Sequence, residues 1–184
     1  MSNDAIVILN GARTPMGGFQ GALKDMSATE LGGAAIKAAV ERSGVAVDSI
    51  DEVIMGCILT AGLGQGPARQ AMRNAGLSDA TGAVTINKLC GSGLKAVMQA
   101  HDGIKAGSFN VAVAGGMESM TNAPYIMPGS RGGYRMGHKE VKDHMFLDGL
   151  EDAETGKLMG MFAQEMLMKK AIPVRKWMRL LSNR

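Results

Sequence analysis

Apolar residues recur along this chain with two alternating periods, short uninterrupted runs and helix-spaced stripes. Residues 5–9 (AIVIL) form the short apolar run of a strand buried on both faces. Ser27-Ala-Thr-Glu30 is a capping box, in which the two side chains satisfy each other's free backbone N–H groups. It opens an apolar-periodic helix running to about Arg42, with Gly44 placed to end it. Residues 51–55 predict a second strand, and 67–75 a second helix with Pro67 at its start and Gly76 beyond its end. A third strand follows at 83–87, a third helix at 91–106 closed by Gly107, and a fourth strand at 111–114. Strands alternating with helices predict an α/β fold, a parallel-rich sheet with flanking helices and right-handed crossovers.

Past Ser119 the pattern changes. Residues 121–160 are rich in Gly, Pro, Met, Asp and His and keep no clean period, which predicts a long lid-like excursion rather than another βα unit. With 46% hydrophobic and 20% charged residues, the 184-residue chain reads as globular. Its 26 Gly allow close approach of elements, and its 16 Met read as core filler. All 17 acidic residues lie at or before Glu165, whereas six of the 20 basic ones lie after it. The body through residue 166 therefore sets 14 basic against 17 acidic residues, which argues against a nucleic-acid face. No apolar run reaches the ~18 residues of a membrane span, and Asp4 stands where a secretory leader would be basic. Two cysteines without such a leader predict a reduced, cytoplasmic chain.

The sharpest chemical feature is Asn87-Lys88-Leu89-Cys90-Gly91-Ser92-Gly93-Leu94, at a predicted strand-to-helix junction. Cys90 stands where the free N–H groups of the following helix converge, and that positive end favours thiolate over thiol. Gly91 and Gly93 leave the sulfur open to a carbonyl. The cysteine's own N–H can meet the oxygen of a tetrahedral adduct, as at a nucleophile elbow. The bland alternative is a small buried cysteine. Other candidates offer less. Gly62-x-Gly-x-Gly66 follows no strand directly, so it lacks the context of a dinucleotide loop. His101 falls within the third helix, and His138 and His144 match no metal spacing and read as polar loop residues. Cys57 reads as apolar filler.

The stretch from Lys88 to Lys95 resembles the nucleophile motif of the thiolases, the acetyl-CoA acetyltransferase family. Four further segments match in order: Gly11-Ala-Arg-Thr-Pro15, Asp51-Glu-Val-Ile-Met-Gly56, Gly62-Leu-Gly-Gln-Gly-Pro-Ala-Arg-Gln70 and Gly115-Gly-Met-Glu-Ser-Met120. The resemblance runs from about residue 5 to 166. A ketoacyl synthase shares a fold and a cysteine but fits the third and fourth of these segments less well. The resemblance implies a thiolase-like fold, the first half of a duplicated one. It implies that Cys90 carries the acyl group of one acyl-CoA until a second, deprotonated at its α-carbon, attacks in a Claisen condensation, with thiolysis as the reverse. By the same match Met159 lines the acyl pocket. Leu158 stands where acetoacetyl-forming members often have His, so their short-chain preference does not carry over. Glu118 and Arg69 brace the core or a dimer. The implied substrates are coenzyme A thioesters, with no metal or further cofactor, and the family form is a homo-oligomer.

Family members are about twice this length. Their second half supplies a Gly-His-Pro histidine, a Cys-x-Gly-x-Gly cysteine and an oxyanion-site Asn, and none of those motifs occurs in these 184 residues. The reading therefore divides the chain into a nucleophile-bearing domain at 1–120, a partial loop or lid domain at 121–166 and a basic non-family tail at 167–184. That tail has no acid, the sole Trp (Trp177), and Pro173 where a helix should continue. A one-base frame change converts a family-like sequence into it, so it reads as a frameshift product, the alternative being a basic tail for anionic surfaces. Without a second half, the helix at 91–106 should expose apolar surface at Leu94, Val97, Met98 or Ile104.

Overall fold

The computed structural model describes residues 5–169. Its centre is a parallel sheet of β1 (Glu52–Gly56), β2 (Gly82–Ile86) and β3 (Ala112–Gly116), in the order β2-β1-β3. Val53 of β1 registers with Ala83 on one side and Val113 on the other. Because strand side chains alternate, β1 feeds two cores. Val53 and Met55 join α1 (Ala28–Ser43) and α2 (Pro67–Asn74) through Ile36, Val40 and Met72 on one face. Ile54 meets Ala96 and Ala100 of α3 (Ser92–Ala106) on the other. The result is a three-layer α/β arrangement with β1 buried at its middle.

Local signals set the helix ends. Glu30 N–H donates to Ser27 Oγ at 3.2 Å and Ser27 N–H to Glu30 Oε2 at 2.8 Å, completing the capping box. α2 has no cap of its own at Gly66; Thr85 of β2 lends its Oγ1 to Ala68 N–H at 2.9 Å. Asp51, just before β1, accepts from Asn110 N–H at 2.8 Å and Val111 N–H at 3.0 Å, which aligns the start of β3 and holds that carboxyl below its usual range.

Two expectations change. Residues 5–9 pair with no strand among the described residues: Val7, Ile8 and Leu9 stand 65%, 84% and 58% exposed. Asn10 Nδ2 donates to Arg42 O, and Arg42 Nη1 to Gly11 O, so the segment is tied near the end of α1. A strand exists only by virtue of a hydrogen-bonded neighbour, and an apolar run cannot report whether one is there. The excursion, in turn, contains short elements. β4 (Tyr125–Ile126) pairs antiparallel with β5 (Lys142–Asp143), a π-helix covers Phe146–Leu150, and α4 spans Met159–Lys169.

On α3, Leu94, Val97 and Met98 are 70%, 38% and 50% exposed and Ile104 is half-buried, as expected for that helix. No helix among the described residues is long and apolar enough to cross a membrane. Most of the basic tail, with Pro173 and Trp177, lies outside the described residues.

Candidate active site

The turn from β2 into α3 is a tightly bonded loop. Asn87 Oδ1 accepts from Leu89 N–H at 2.9 Å, and Gly91 N–H donates to Lys88 O at 3.1 Å. Ser92 closes the turn from both sides: its Oγ donates to Leu89 O at 2.6 Å and accepts from Lys88 N–H at 2.8 Å. These bonds hold Leu89 at φ 47°, in the left-handed region that costs a branched side chain roughly 1–2 kcal/mol. Cys90 follows that strained residue, exposed and unpaired with the other cysteine. Its N–H has no hydrogen-bond partner among the described residues, and α3 begins behind it with no side-chain cap. Gly91 N–H and Ser92 N–H are spent on Lys88 O and Leu89 O, so the free amide beside the sulfur, suited to a developing negative charge, is the cysteine's own.

Close approach of backbone puts this turn at the carboxyl edge of the sheet, where open α/β sheets bind ligands. A Cβ on Gly56, the last residue of β1, would come within 2.5 Å of Ser92 Cβ and 2.8 Å of Gly93 N. One on Gly116, the last of β3, would lie 3.4 Å from Gly93 Cα. Small residues at both strand ends therefore let α3 seat its first turn directly on the sheet. A depression of about 290 Å³ opens there, bordered by Ile58, Leu89, Cys90, Met117, Glu118 and the glycines.

Glu118 faces into this region as a brace. Its Oε2 accepts from Ile58 N–H and its Oε1 from Leu59 N–H, both at 2.9 Å, and Cys57 Sγ donates to Oε1 at 3.4 Å. Cys57 is buried but is more than the apolar filler expected of it. Burial first, and the Glu118 charge second, push its thiol up to about 12, so it stays protonated and donates at neutral pH. Arg69 donates to Asp79 O at 3.2 Å and Thr81 O at 3.4 Å, tying α2 to the loop before β2.

The histidines divide. His101 is exposed beside Asp102, and His138 is exposed on the excursion. His144, expected as a polar loop residue, is 7% exposed. Its Nδ1 lies 2.6 Å from Asp148 Oδ2, and its Nε2 accepts from Ala61 N–H at 3.4 Å. Those partners put the proton on Nδ1 and make the ring a latch between the excursion and the loop after β1. Neither His144 nor Met159 borders the depression; Met159 opens α4 and is 43% exposed. The sequence pattern does not single out Ser92 or Asn87. The question that finds them is where the N–H groups of Lys88 and Leu89 go once β2 has ended.

Comparison with known proteins agrees with this architecture. Residues 6–177 match the model of the thiolase N-terminal domain, eleven residues past the point where the motif resemblance ends. An acetyl-CoA acetyltransferase of Cupriavidus necator is 50% identical over 167 residues, 91% of this chain and 42% of the relative. That of Pseudomonas aeruginosa is 48% identical over 164 residues, 89% of this chain and 42% of the relative. A probable acetyl-CoA acetyltransferase of Mycobacterium tuberculosis is 50% identical over 159 residues, 86% and 40%. The chain thus spans about two-fifths of the length of these curated relatives. A cysteine-headed helix on a parallel sheet, matched over nearly all of its length, makes this chain a member of the thiolase family, corresponding to that family's N-terminal domain.

Proposed function

We infer that Cys90 accepts the acyl group of an acyl-CoA as a thioester, in acyl transfer between acyl-CoA thioesters by Claisen condensation or its reverse, thiolysis. The observation that carries this reading is an exposed cysteine at the head of α3 whose N–H is unclaimed among the described residues. In the first half-reaction the Cys90 sulfur gives up its proton and attacks the thioester carbon. The carbonyl electron pair moves onto oxygen, where the Cys90 N–H donates to it. Collapse of the adduct breaks the bond to the coenzyme A sulfur, which leaves and takes up a proton. In the second half-reaction the α-carbanion of another acyl-CoA attacks the acyl-cysteine and releases the Cys90 thiolate. By the motif resemblance Met159 belongs to an acyl pocket, although among the described residues it stands outside the depression at Cys90; the names of the relatives favour acetyl as the group carried, Leu158 notwithstanding.

These 184 residues contain neither a Gly-His-Pro nor a Cys-x-Gly-x-Gly motif. Glu118, the carboxylate bordering the depression, already accepts three hydrogen bonds. By themselves these residues therefore accept an acyl group but are impaired in completing the condensation, since each missing base is worth ~10²–10⁴ in rate. The setting is cytoplasmic fatty-acid metabolism, with a homo-oligomer as the full-length form and coenzyme A thioesters as the sole small-molecule partners. A second reading, a non-catalytic fragment or partner-binding module, draws on the exposed Leu94, Val97 and Met98 of α3.

Labelled acetyl-CoA separates the two. Label retained by the wild-type chain and absent from Cys90→Ala supports the acyl carrier. A folded wild-type chain that takes no label, or a Cys90→Ala chain that takes it equally, would sink that reading.

A further inference from the structure

Three chain segments border the Cys90 depression, and they are held in different ways. The 88–93 turn is bonded internally through Asn87 and Ser92. The end of β3 is joined to the end of β1 by Met117 N–H donating to Gly56 O at 2.9 Å, and β1 to β2 by Cys57 N–H donating to Ile86 O at 3.0 Å. Beyond Cys57 the sheet pairing stops. From there the path of 57–59 is set by one carboxylate, which gathers Ile58 N–H, Leu59 N–H and the Cys57 thiol. No Lys or Arg pairs with Glu118 among the described residues, so two amide dipoles and a thiol offset its charge. Leu59 and Cys57 are 5% and 1% exposed, so their polar groups have little recourse to water once that acceptor is gone.

We propose that Glu118 is a positioning residue for acylation of Cys90, acting through the 57–59 turn to fix Ile58 as the wall facing the sulfur. This role rests on the acyl-carrier reading. A thioester approaching Cys90 must bring its carbon to the sulfur and its oxygen to the Cys90 N–H together. A misplacement of about 1 Å in such an arrangement costs on the order of 10²-fold in rate. Ile58 is half-buried and borders the depression, and its backbone N–H is bonded directly to the carboxylate. The sulfur's own exposure depends on the separately bonded turn. Orientation of the acyl group and access to the sulfur are thus supported by different residues, and they separate under mutation.

The test uses the 184-residue chain and Glu118→Gln, which turns one acceptor into an amide donor facing an N–H group. Acetylation of Cys90 by acetyl-CoA should slow at least ~10-fold. Alkylation by iodoacetamide, which needs the sulfur only as the 88–93 turn presents it and no oriented carbonyl, should stay within about twofold. Hydrogen exchange at the Ile58 and Leu59 amides should accelerate while that of residues 88–92 does not. Ile58→Ala leaves the carboxylate and its bonds in place and should reproduce the selective loss of acetylation even if the first variant folds poorly. The proposal is overturned if Glu118→Gln is acetylated at the wild-type rate, if acetylation and alkylation fall together, or if Ile58→Ala changes neither. A wild-type chain that takes no acetyl group overturns the acyl-carrier reading itself, and unchanged exchange at Ile58 and Leu59 overturns the hold of Glu118 on the turn independently of it.

Discussion

Replacing Ser92 with Ala should loosen the turn that presents Cys90 while leaving the sheet intact. The substitution deletes two bonds, the 2.6 Å donation to Leu89 O and the 2.8 Å acceptance from Lys88 N–H. Each is worth about 1 kcal/mol net. Against that loss stands the left-handed Leu89, whose φ of 47° costs roughly 1–2 kcal/mol and which relaxes once the clamp is gone. The loss exceeds the relief by about 0–1 kcal/mol, so stability should fall by at most about 1 kcal/mol, or ~2–4 °C in Tm for a chain of this size. The turn itself passes from one conformation to several. Iodoacetamide labelling of Cys90 should therefore slow severalfold, far out of proportion to the stability change. Leu89→Gly removes the Cβ penalty at the same φ but adds about 0.5–1 kcal/mol of unfolded-chain entropy, so it should stabilise by up to about 1 kcal/mol. In that background Ser92→Ala has less strain to release, so it should cost more than in the wild type, with a coupling of at least ~0.5 kcal/mol in a double-mutant cycle. Denaturant unfolding and timed alkylation with intact-mass readout measure all four chains. Ser92→Ala labelled at the wild-type rate, or the two changes strictly additive, would refute the idea that strain at Leu89 is held by Ser92.

Gly56→Ala should act from the other side of the same contact. Its Cβ would fall 2.5–2.8 Å from the backbone and Cβ of 92–93, so the head of α3 must withdraw by about 1 Å. Overpacking of this kind should cost about 1–3 kcal/mol in denaturant unfolding and change the alkylation rate of Cys90, whereas Gly18→Ala, which meets nothing within 4 Å, should do neither. Cys57 should make the protein less stable in alkali. Its thiol ionises near 9.0 when unfolded but near 12 in the fold, so between those values the unfolded chain binds fewer protons and stability falls as pH rises. Cys57→Ala should flatten that part of the stability curve in unfolding measured from pH 8 to 11; an unchanged slope would mean the thiol ionises freely in the folded chain.

What could be read from the sequence divides by range. The Ser27–Glu30 box, Pro67 at the head of α2 and the strand–Cys90–helix junction are decided within a few residues, and each lies where local chemistry calls for it. The strand read at 51–55 likewise forms, and the structure shows its Val53 and Met55 on one covered face and Ile54 on the other. The carboxylate of Glu118 is different: its partners are 59–61 positions away, and nothing near residue 118 reveals that they turn toward it. His144 meets Ala61 across 83 positions, and Asp51 meets Asn110 and Val111 across 59 and 60. Residues 5–9 show the converse failure. Their composition satisfies every local rule for a buried strand, yet strand formation is a property of a pair, and no described segment pairs with them.

The two cysteines show how little of a site's chemistry resides in the residue type. Cys57 and Cys90 both follow strands of the same parallel sheet at its carboxyl edge, and both stand next to the depression that Glu118 borders. After β1 the chain turns its next amides toward a carboxylate, so Cys57 is enclosed, keeps its proton and spends it on a hydrogen bond. After β2 the chain turns through a strained leucine into a helix, so Cys90 is left in solvent with its own N–H unclaimed among the described residues. Exchanging the residue types would not exchange these roles, because the backbone after each strand decides which sulfur a carbonyl can reach. On the acyl-carrier reading, reactivity at this edge is set by the turn, which Ser92 clamps and Gly56 seats, neither contributing a reacting atom.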